Sequence, residues 1–574
     1  MSESVADALW SMLATAGVKR CYGIVGDALN PVIDALRRDG RVEFIQVRNE
    51  EAGVFAAVAE ASLTGDLVAV CGTAGPGVMH LLNGLMDAQR EGVSVIAIAG
   101  DTVSGLIDSG TIEEINPYAT FQTVSLYTGR LINPAQTRTV VQTAIRTALS
   151  EHGPTVISVP GDVAVREVPD DSYQAVTHNP PLLRPSDDDL RTLAEMIDQA
   201  GSVTIFGGDG CRDAHDEVVA LAEKLQAPVG YAYRGKQWLE WGNPNAVGMT
   251  GLLGWGGAYE AMHHCDLCLL LGTNFPLNDF YPKKATKVQV DRRPSIIGRR
   301  THIDMALVGD IKDTVAALLP LVAPKHESHH LNRALKTTEE WRKNMSHYVT
   351  RGPDLTPIRP EYLISVIDEL ASDDAAICTD TGTACIWTAR YITAKQNRNI
   401  LGSFSWASMA NAMPNTIGVA LAYPGRQVIG FCGDGGLSML MGDLLTIAER
   451  QLPVKLVVLD NSGFQFVHIE MEEAGIQPYG IKFANPDLAK VAESIGLTGI
   501  RVQDPGEVRD AVAQFLATPG PALLDAVVEP YALSLPPHVS FGEAEGFSLS
   551  FAKQALNGNL DDVIQTVKRN VHVV

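Results

Sequence analysis

Two stretches of this chain, in which Cys71 and Cys432 stand 361 positions apart, repeat one pattern of apolar strand, glycine turn, helix and second strand, and that repetition restricts the fold more than any other feature. VAVCGTAG (Val68 to Gly75) leads into a strand opening at Val93, and VIGFCGDG (Val428 to Gly435) leads into one opening at Val454. Short Val/Ile/Leu-rich runs that alternate with amphipathic helices build parallel sheets covered by helices on both faces. The repetition therefore predicts two domains of one architecture, one in each half of the chain. The stretch between them keeps the same rhythm. The expected class is α/β, with three doubly wound parallel-sheet domains over 1–177, 185–335 and 350–530 and a helical C-terminal tail over 531–574. Proline-bearing polar passages, HNPPLLRPSDDD (His178 to Asp189) and RGPDLTPIRP (Arg351 to Pro360), mark the breaks.

At 574 residues the chain outgrows a single hydrophobic core. Its 67 acidic against 45 basic residues give a formal charge of −22, which repels phosphate backbones, so no nucleic-acid partner is expected. The opening MSESVADALW has acidic residues where a secretory segment carries a basic region and an apolar run, so a cytoplasmic location is expected. The longest apolar runs have strand length, short of the roughly 18 residues of a spanning helix. Eight cysteines sit in apolar contexts and read as small core residues. Cys265 and Cys268, with His263 and His264 beside them, are the one pair at metal spacing. A strand starting there accounts for them without zinc, because no second CxxC stands at zinc-site distance.

The chemistry concentrates at strand ends. Gly433-Asp434-Gly435 closes one apolar strand, and Asp460-Asn461 closes another after a gap of 24 residues. The carboxyl ends of parallel strands line the usual ligand crevice of such sheets, so two oxygen ligands placed there have a geometric reason to meet. Asp434, the Asn461 amide and a backbone carbonyl near Gly463 form an all-oxygen set suited to Mg²⁺, whose remaining positions take diphosphate oxygens. Gly435 and Gly436 open a helix whose positive end and free N–H groups face the same anion. In the middle segment, GGDGCRD (Gly207 to Asp213) has Asp213 where GxGxxG needs its third glycine, so the common dinucleotide fingerprint is absent.

The spaced GDG and asparagine resemble the signature of thiamine-diphosphate-dependent enzymes. The likeness extends along nearly the whole chain through GIVGDALN, GPG with Asn83-Gly84, RGK (Arg234 to Lys236), VGMTGLLG, LGTNFP, MALVGDIK, GSFSWASMANAMP and GFSLS. Within that family the chain is similar to the flavin-containing pyruvate oxidases, above all the bacterial pyruvate:quinone oxidoreductases that form acetate. The resemblance implies, in chain order, a pyrimidine-binding domain, an FAD-binding domain and a domain for the diphosphate and its magnesium. It implies that Glu50 shares a proton with the aminopyrimidine ring, whereas position alone reads Glu50, beside Glu51, as a helix-start acid. Asn49 stands where relatives commonly have histidine. Gly26, Thr381, Gly382, Ala407, Ser408, Phe464 and Gln465 are implied to line the thiamine cofactor, and Met409 to be the apolar wedge that bends it. Phe121, Gln122, Phe466 and Glu470 are implied to face the substrate, with Phe466 also near the cofactor. Gln465 and Trp406 depart from the family pattern. An extended FAD is implied against Gly210, Arg234, Gly235, Thr250, Gly251, Leu252, Leu253, Gly254, Thr273, Asn274, Phe275, Asp291, Arg292 and Asp310, with an arginine available to a phosphate.

The implied reaction is oxidative decarboxylation of pyruvate, or another small 2-oxo acid, to acetate and carbon dioxide through a thiamine-bound enamine, with electrons passing through FAD to a membrane quinone. The alternatives are a phosphate- and oxygen-using pyruvate oxidase forming acetyl phosphate, an acetolactate synthase-like carboligase with non-redox FAD, and a non-catalytic cofactor-binding regulator. The family also implies a homotetramer, a dimer of dimers in which Glu50 and the diphosphate site come from different subunits. The tail places Phe547, Phe551, Ala552, Ala555 and Leu556 on one helical face and Val563, Ile564, Val567 and Val571 on another. Relatives use a similar tail to meet the inner face of the membrane where quinone resides. Packing on the body is the alternative.

Overall fold

The structure, a computed structural model, describes residues 3–169 and 181–534 and, in the tail, 547–551, 553, 554, 564, 566, 567, 569 and 570. The first sheet holds β1 (Arg20–Gly23), β2 (Glu43–Gln46), β3 (Val68–Gly72), β4 (Val95–Asp101), β5 (Tyr127–Arg130) and β6 (Thr155–Pro160), all parallel, in the order β2-β1-β3-β4-β6-β5. The central sheet holds β7 (Val203–Gly207), β8 (Val229–Tyr231), β9 (Ala246–Met249), β10 (Trp255–Gly256), β11 (Leu267–Leu271), β12 (Thr286–Asp291) and β13 (Met305–Val308), in the order β10-β9-β8-β7-β11-β12-β13. Only the short edge strand β10 runs antiparallel there. The third sheet holds β14 (Ala376–Thr379), β15 (Asn399–Leu401), β16 (Val428–Gly433), β17 (Val454–Asp460), β18 (Thr498–Val502) and β19 (Ala522–Val527), all parallel, in the order β15-β14-β16-β17-β19-β18.

Counted from its own first strand, the third sheet has the same order as the first. The repeated motif fills the same two places in each, β3 with β4 and β16 with β17. These strands are continuous apolar runs because helices cover both faces, and every residue of β3, β4 and β17 is buried. The α/β class with three parallel-sheet domains is therefore as the sequence predicts.

The two like sheets are joined through a pair of largely buried helices, Glu50–Thr64 and Ala412–Ala422. Gly418 makes their contact possible, since a Cβ there would stand 1.9 Å from the Ala56 carbonyl oxygen. One apolar cluster runs across this contact, and a second runs from the central sheet into the third domain. The described part of the tail bonds to the body: Ser550 Oγ donates to Ile476 O (2.9 Å), Lys553 Nζ to Gly475 O (2.7 Å) and Gln554 Nε2 to Glu472 Oε1 (2.9 Å). Of the two expected apolar faces, Ala552, Ala555, Leu556, Val563 and Val571 lie outside the described residues. Among the described residues no helix is long and apolar enough to cross a membrane.

Gly418→Ala pushes a methyl group into backbone that cannot swing away. We expect it to cost about 1–3 kcal/mol, read as a lower thermal transition, and an unchanged transition would show that the helices have room to part.

Candidate active site

β16 and β17 are neighbours, so the turns that follow them touch. Asp434 opens the helix Asp434–Leu440, and its carboxylate accepts from Gly435 N (2.8 Å), Ser462 N (2.6 Å) and Asn485 Nδ2 (2.8 Å). Asn485 also donates to Asp460 Oδ1 at 2.7 Å, so one amide separates two carboxylates at adjacent strand ends. Burial pushes the Asp434 carboxyl up to about 6, against the lowering effect of the Asn485 bond. Asn461 Oδ1 accepts from Gly463 N at 3.2 Å, across a turn in which Ser462 is left-handed at φ +57°. Phe464 N bonds to Ile481 O (2.9 Å), fixing the start of the helix Gln465–Glu473.

Asp380-Thr381-Gly382 form the turn after β14. Asp380 is buried; its Oδ1 accepts from Thr381 N (3.0 Å) and Asn411 Nδ2 (3.2 Å), and its Oδ2 has no partner among the described residues. That free oxygen stands 2.0 Å from where a Cβ on Gly436 would be, and burial pushes the carboxyl up to about 7. The turns carrying Thr381-Gly382 and Gly435-Gly436 and the loop carrying Ala407, Ser408 and Met409 therefore meet around one acid. Ala407 (φ +60°) and Ala410 (φ +69°) flank Ser408 and Met409 in the left-handed region, at a cost of about 1–2 kcal/mol each. Such strain persists only where the surroundings over-determine it. The anchors come from the helix Pro76–Glu91: Ser403 Oγ donates to Asp87 Oδ1 (2.6 Å), Ser405 N to Glu91 Oε1 (2.6 Å), Trp406 Nε1 to Asn83 Oδ1 (2.7 Å), and Asn83 Nδ2 to Ser408 Oγ (2.8 Å).

Glu50 is the first residue of its helix, capped by Asn49, whose side chain accepts from Glu51 N at 2.9 Å. Glu50 thus starts the helix and is buried at once. Glu50 Oε2 lies 2.9 Å from His80 Nδ1. The preceding turn is held from the third domain, where buried Asp443 accepts from Arg48 N (2.8 Å) and Asn49 N (3.1 Å). Asp443 lies just past the helix that Asp434 opens. Within one chain, then, the turn that precedes Glu50 meets the third domain at Asp443, beyond the far end of the helix Asp434–Leu440.

Gly26 sits in the turn after β1, ahead of the short helix Asp27–Leu29. Phe121 is fully buried in the cluster shared by the first and third domains, whereas half-buried Phe466 packs against the cluster of the central and third domains. The two rings belong to separate cores, so the chain by itself does not show them walling one pocket. Gln122 and Glu470 are exposed and Gln465 is buried; burial of its carboxyl raises Glu470.

The residues expected around FAD all follow strand ends on the carboxyl edge of the central sheet: Gly210 after β7, Arg234 and Gly235 after β8, Thr250 to Gly254 after β9, Thr273 to Phe275 after β11, Asp291 and Arg292 at the end of β12, and Asp310 after β13. The floor is main chain. Gly210 N bonds to Gly272 O at 3.0 Å, and a Cβ on Gly210 would stand 2.6 Å from Gly272 Cα. Thr250 Oγ1 is buried without a partner among the described residues, and Phe275 packs edge-on to Phe206 with centroids 5.5 Å apart. Asn274 Oδ1 accepts from Arg300 Nε (3.0 Å), and Arg292 pairs loosely with Asp310 (3.6 Å). Arg234 is engaged by Asp209 Oδ2 (3.0 Å) and Glu91 Oε2 (3.2 Å). Burial works to lower its pKa, and those two carboxylates outweigh burial and raise it.

Comparison with known proteins supplies the family. The thiamine pyrophosphate enzyme N-terminal TPP binding domain matches residues 3–120, the central domain 190–318 and the C-terminal TPP binding domain 380–526. The Bacillus subtilis protein YdaP is 33% identical over 550 residues, 95% of each chain. The chain belongs to the thiamine pyrophosphate enzyme family. This thiamine pyrophosphate enzyme is also 30% identical to the pyruvate oxidase of Lactiplantibacillus plantarum over 533 residues, 91% of this chain and 88% of that one. Its identity to the acetolactate synthase large subunit of Parasynechococcus marenigrum is 28% over 546 residues, 92% of this chain and 87% of that one. It is an enzyme of the pyruvate oxidase and acetolactate synthase type, and it binds thiamine diphosphate.

Sequence reasoning passed over His80, Asp380, Asp443 and Asn485. His80 had a signal, since it follows the GPG turn at the end of β3. Asn485 had none, because it reaches Asp434 from 51 residues away with no motif around it. Asn485→Ala removes the amide between two acids. We expect thiamine diphosphate affinity to fall roughly tenfold or more in a fluorescence titration; unchanged affinity would make Asn485 a bystander.

Proposed function

We propose that this enzyme oxidatively decarboxylates pyruvate, or another small 2-oxo acid, to acetate and carbon dioxide, with FAD as first electron acceptor and a membrane quinone as second. The observation that carries the reading is the convergence of the flavin-type residues on one crevice edge of the central sheet, in a chain whose flanking domains bind thiamine diphosphate. The buried, unpartnered Thr250 hydroxyl and the backbone floor at Gly210 and Gly272 fit a long polar ligand in that crevice. Asp434, Asn461 and the Gly463 carbonyl are all hard oxygen donors on two touching turns, a set that fits Mg²⁺ and would hold it against the diphosphate.

Thiamine diphosphate supplies the nucleophilic carbon and the sink for the electron pair that carbon dioxide leaves behind, and FAD supplies a two-electron acceptor. The chain's own residues do the rest. Glu50 Oε2 is taken up by His80, which leaves Oε1 to hold or pass the proton at the cofactor's ring nitrogen. Met409, fixed between two left-handed alanines, sets the shape of the pocket behind that ring. Half-buried Phe466 would keep water from the reacting carbon, and exposed Gln122 and Glu470 would offer polar contacts to the substrate carboxylate and keto oxygen.

As the family resemblance implies, the reading assigns Glu50 and Asp434 of each complete site to two copies of the chain, within a homotetramer. Exposed Val25, Met79, Val103, Leu106, Ile112 and Tyr118 follow the carboxyl ends of β1, β3 and β4, on the Glu50 side, and support a covering partner there. The tail is proposed to bring the enzyme to the inner face of the membrane.

The acetolactate synthase relatives favour a second reading, carboligation with a flavin that does not turn over. Anaerobic mixing with pyruvate separates the two: flavin absorbance bleaches and returns on adding a soluble quinone, with acetate formed. Pyruvate consumed with the flavin still yellow and acetolactate accumulating would end the redox proposal. Glu50→Gln is expected to slow bleaching by about 100-fold or more while FAD content stays the same, and bleaching at the wild-type rate would remove Glu50 from the mechanism.

A further inference from the structure

We propose that Glu91 is a positioning residue that couples the central-domain crevice to the loop carrying Met409, so that FAD in the crevice tightens the hold on thiamine diphosphate. The inference rests on FAD occupying that crevice.

Glu91 ends the helix Pro76–Glu91 and is buried. It faces two ways. Its Oε1 accepts from Ser405 N at 2.6 Å, inside the loop that leads to Met409. Its Oε2 pairs with Arg234 Nε at 3.2 Å, and its carbonyl accepts from Arg234 Nη2 at 2.9 Å. Arg234 reaches onward to Asp209 Oδ2 (3.0 Å), in the turn after β7 on the crevice edge, and its Nη1 lies 3.4 Å from Ser405 Oγ. Asp209 is held in turn by Trp238 Nε1 at 3.2 Å. A continuous run of polar contacts, Asp209 to Arg234 to Glu91 to Ser405, therefore links all three domains and ends on the Met409 loop.

The loop has reason to respond. With Ala407 and Ala410 both left-handed, it relaxes when its anchors loosen, and its shape is set from outside. Asp87 and Asn83 anchor it from the same helix, but among these anchors Glu91 is the one tied to the crevice. A diphosphate in the crevice competes for the Arg234 guanidinium. The Asp209 side chain is 33% exposed and Glu91's 6%, so Asp209 gives way to the anion while Arg234 stays locked against Glu91. An ordered Arg234 then steadies Glu91 and Ser405, which is a differential contact of the kind coupling requires.

The test is a fluorescence titration of thiamine diphosphate with Mg²⁺, read on the intrinsic tryptophans, in protein stripped of FAD and in the same protein reloaded. In the wild type, Kd is expected to be about fivefold or more tighter with FAD, the lower end of ordinary coupling. Glu91→Gln keeps an acceptor for Ser405 N but loses the ion pair, and its ratio is expected near one. Asp87→Asn weakens binding in both states and keeps the wild-type ratio, which separates coupling from simple loop support. A wild-type ratio of one, or an undiminished ratio in Glu91→Gln, overturns the proposal. Should Glu91→Gln not fold, hydrogen exchange of residues 403–411 in the wild type without thiamine diphosphate decides: slower exchange on adding FAD supports the coupling, and unchanged exchange ends it. Failure to bind FAD at all would bring down the redox reading together with this one; FAD bound without coupling would bring down this one alone.

Discussion

The contact on which the rest of the molecule depends is the backbone approach of Gly418 to Ala56. Glu50 is the first residue of one helix in that pair, and the Met409 loop runs directly into the first turn of the other. Packing two largely buried helices thus places both segments, without either needing a stable conformation of its own. Tertiary burial decides here over local preference, as the left-handed alanines show, since no isolated peptide would hold them.

The duplicated architecture also exchanges its supports. In the first domain, the helix after the third strand supplies Asn83, Asp87 and Glu91 to the loop that follows the second strand of the third domain. In the third domain, Asp443, just past the corresponding helix, accepts the backbone N–H groups of Arg48 and Asn49, after the second strand of the first domain. Each half therefore holds the loop after the second strand of the other. Asp87, Glu91 and Asp443 are buried acids bonded to backbone and hydroxyl donors, contacts that cost most when only one partner is removed.

The fold was legible because parallel strands buried on both faces read as unbroken apolar runs, and because the glycine turns after β3 and β16 repeat at one offset. The Asp434 turn was legible for the same reason, because it closes a strong strand signal, whereas Thr250 was reached only through the family resemblance. Glu50 was harder. Its place reads as a helix-start acid, which it is, and only the family resemblance suggested a second role. Asp443, Asn485 and the Glu91–Arg234 pair could not be read from local pattern, since their partners lie 395, 51 and 143 residues away and no periodicity announces a contact across domains. The separation of Phe121 and Phe466 into different cores was equally invisible, because an aromatic in an apolar run looks the same whichever core it joins.

The main-chain seat formed where Gly210 meets Gly272 has a consequence for how such an enzyme diversifies. A seat of this kind offers the same amide and carbonyl dipoles whatever happens to the side chains around it. Drift in the side chains that follow the strand ends of the central sheet is then free to change what the crevice fits while the main-chain floor stays the same. One scaffold can change occupation without rebuilding its foundations.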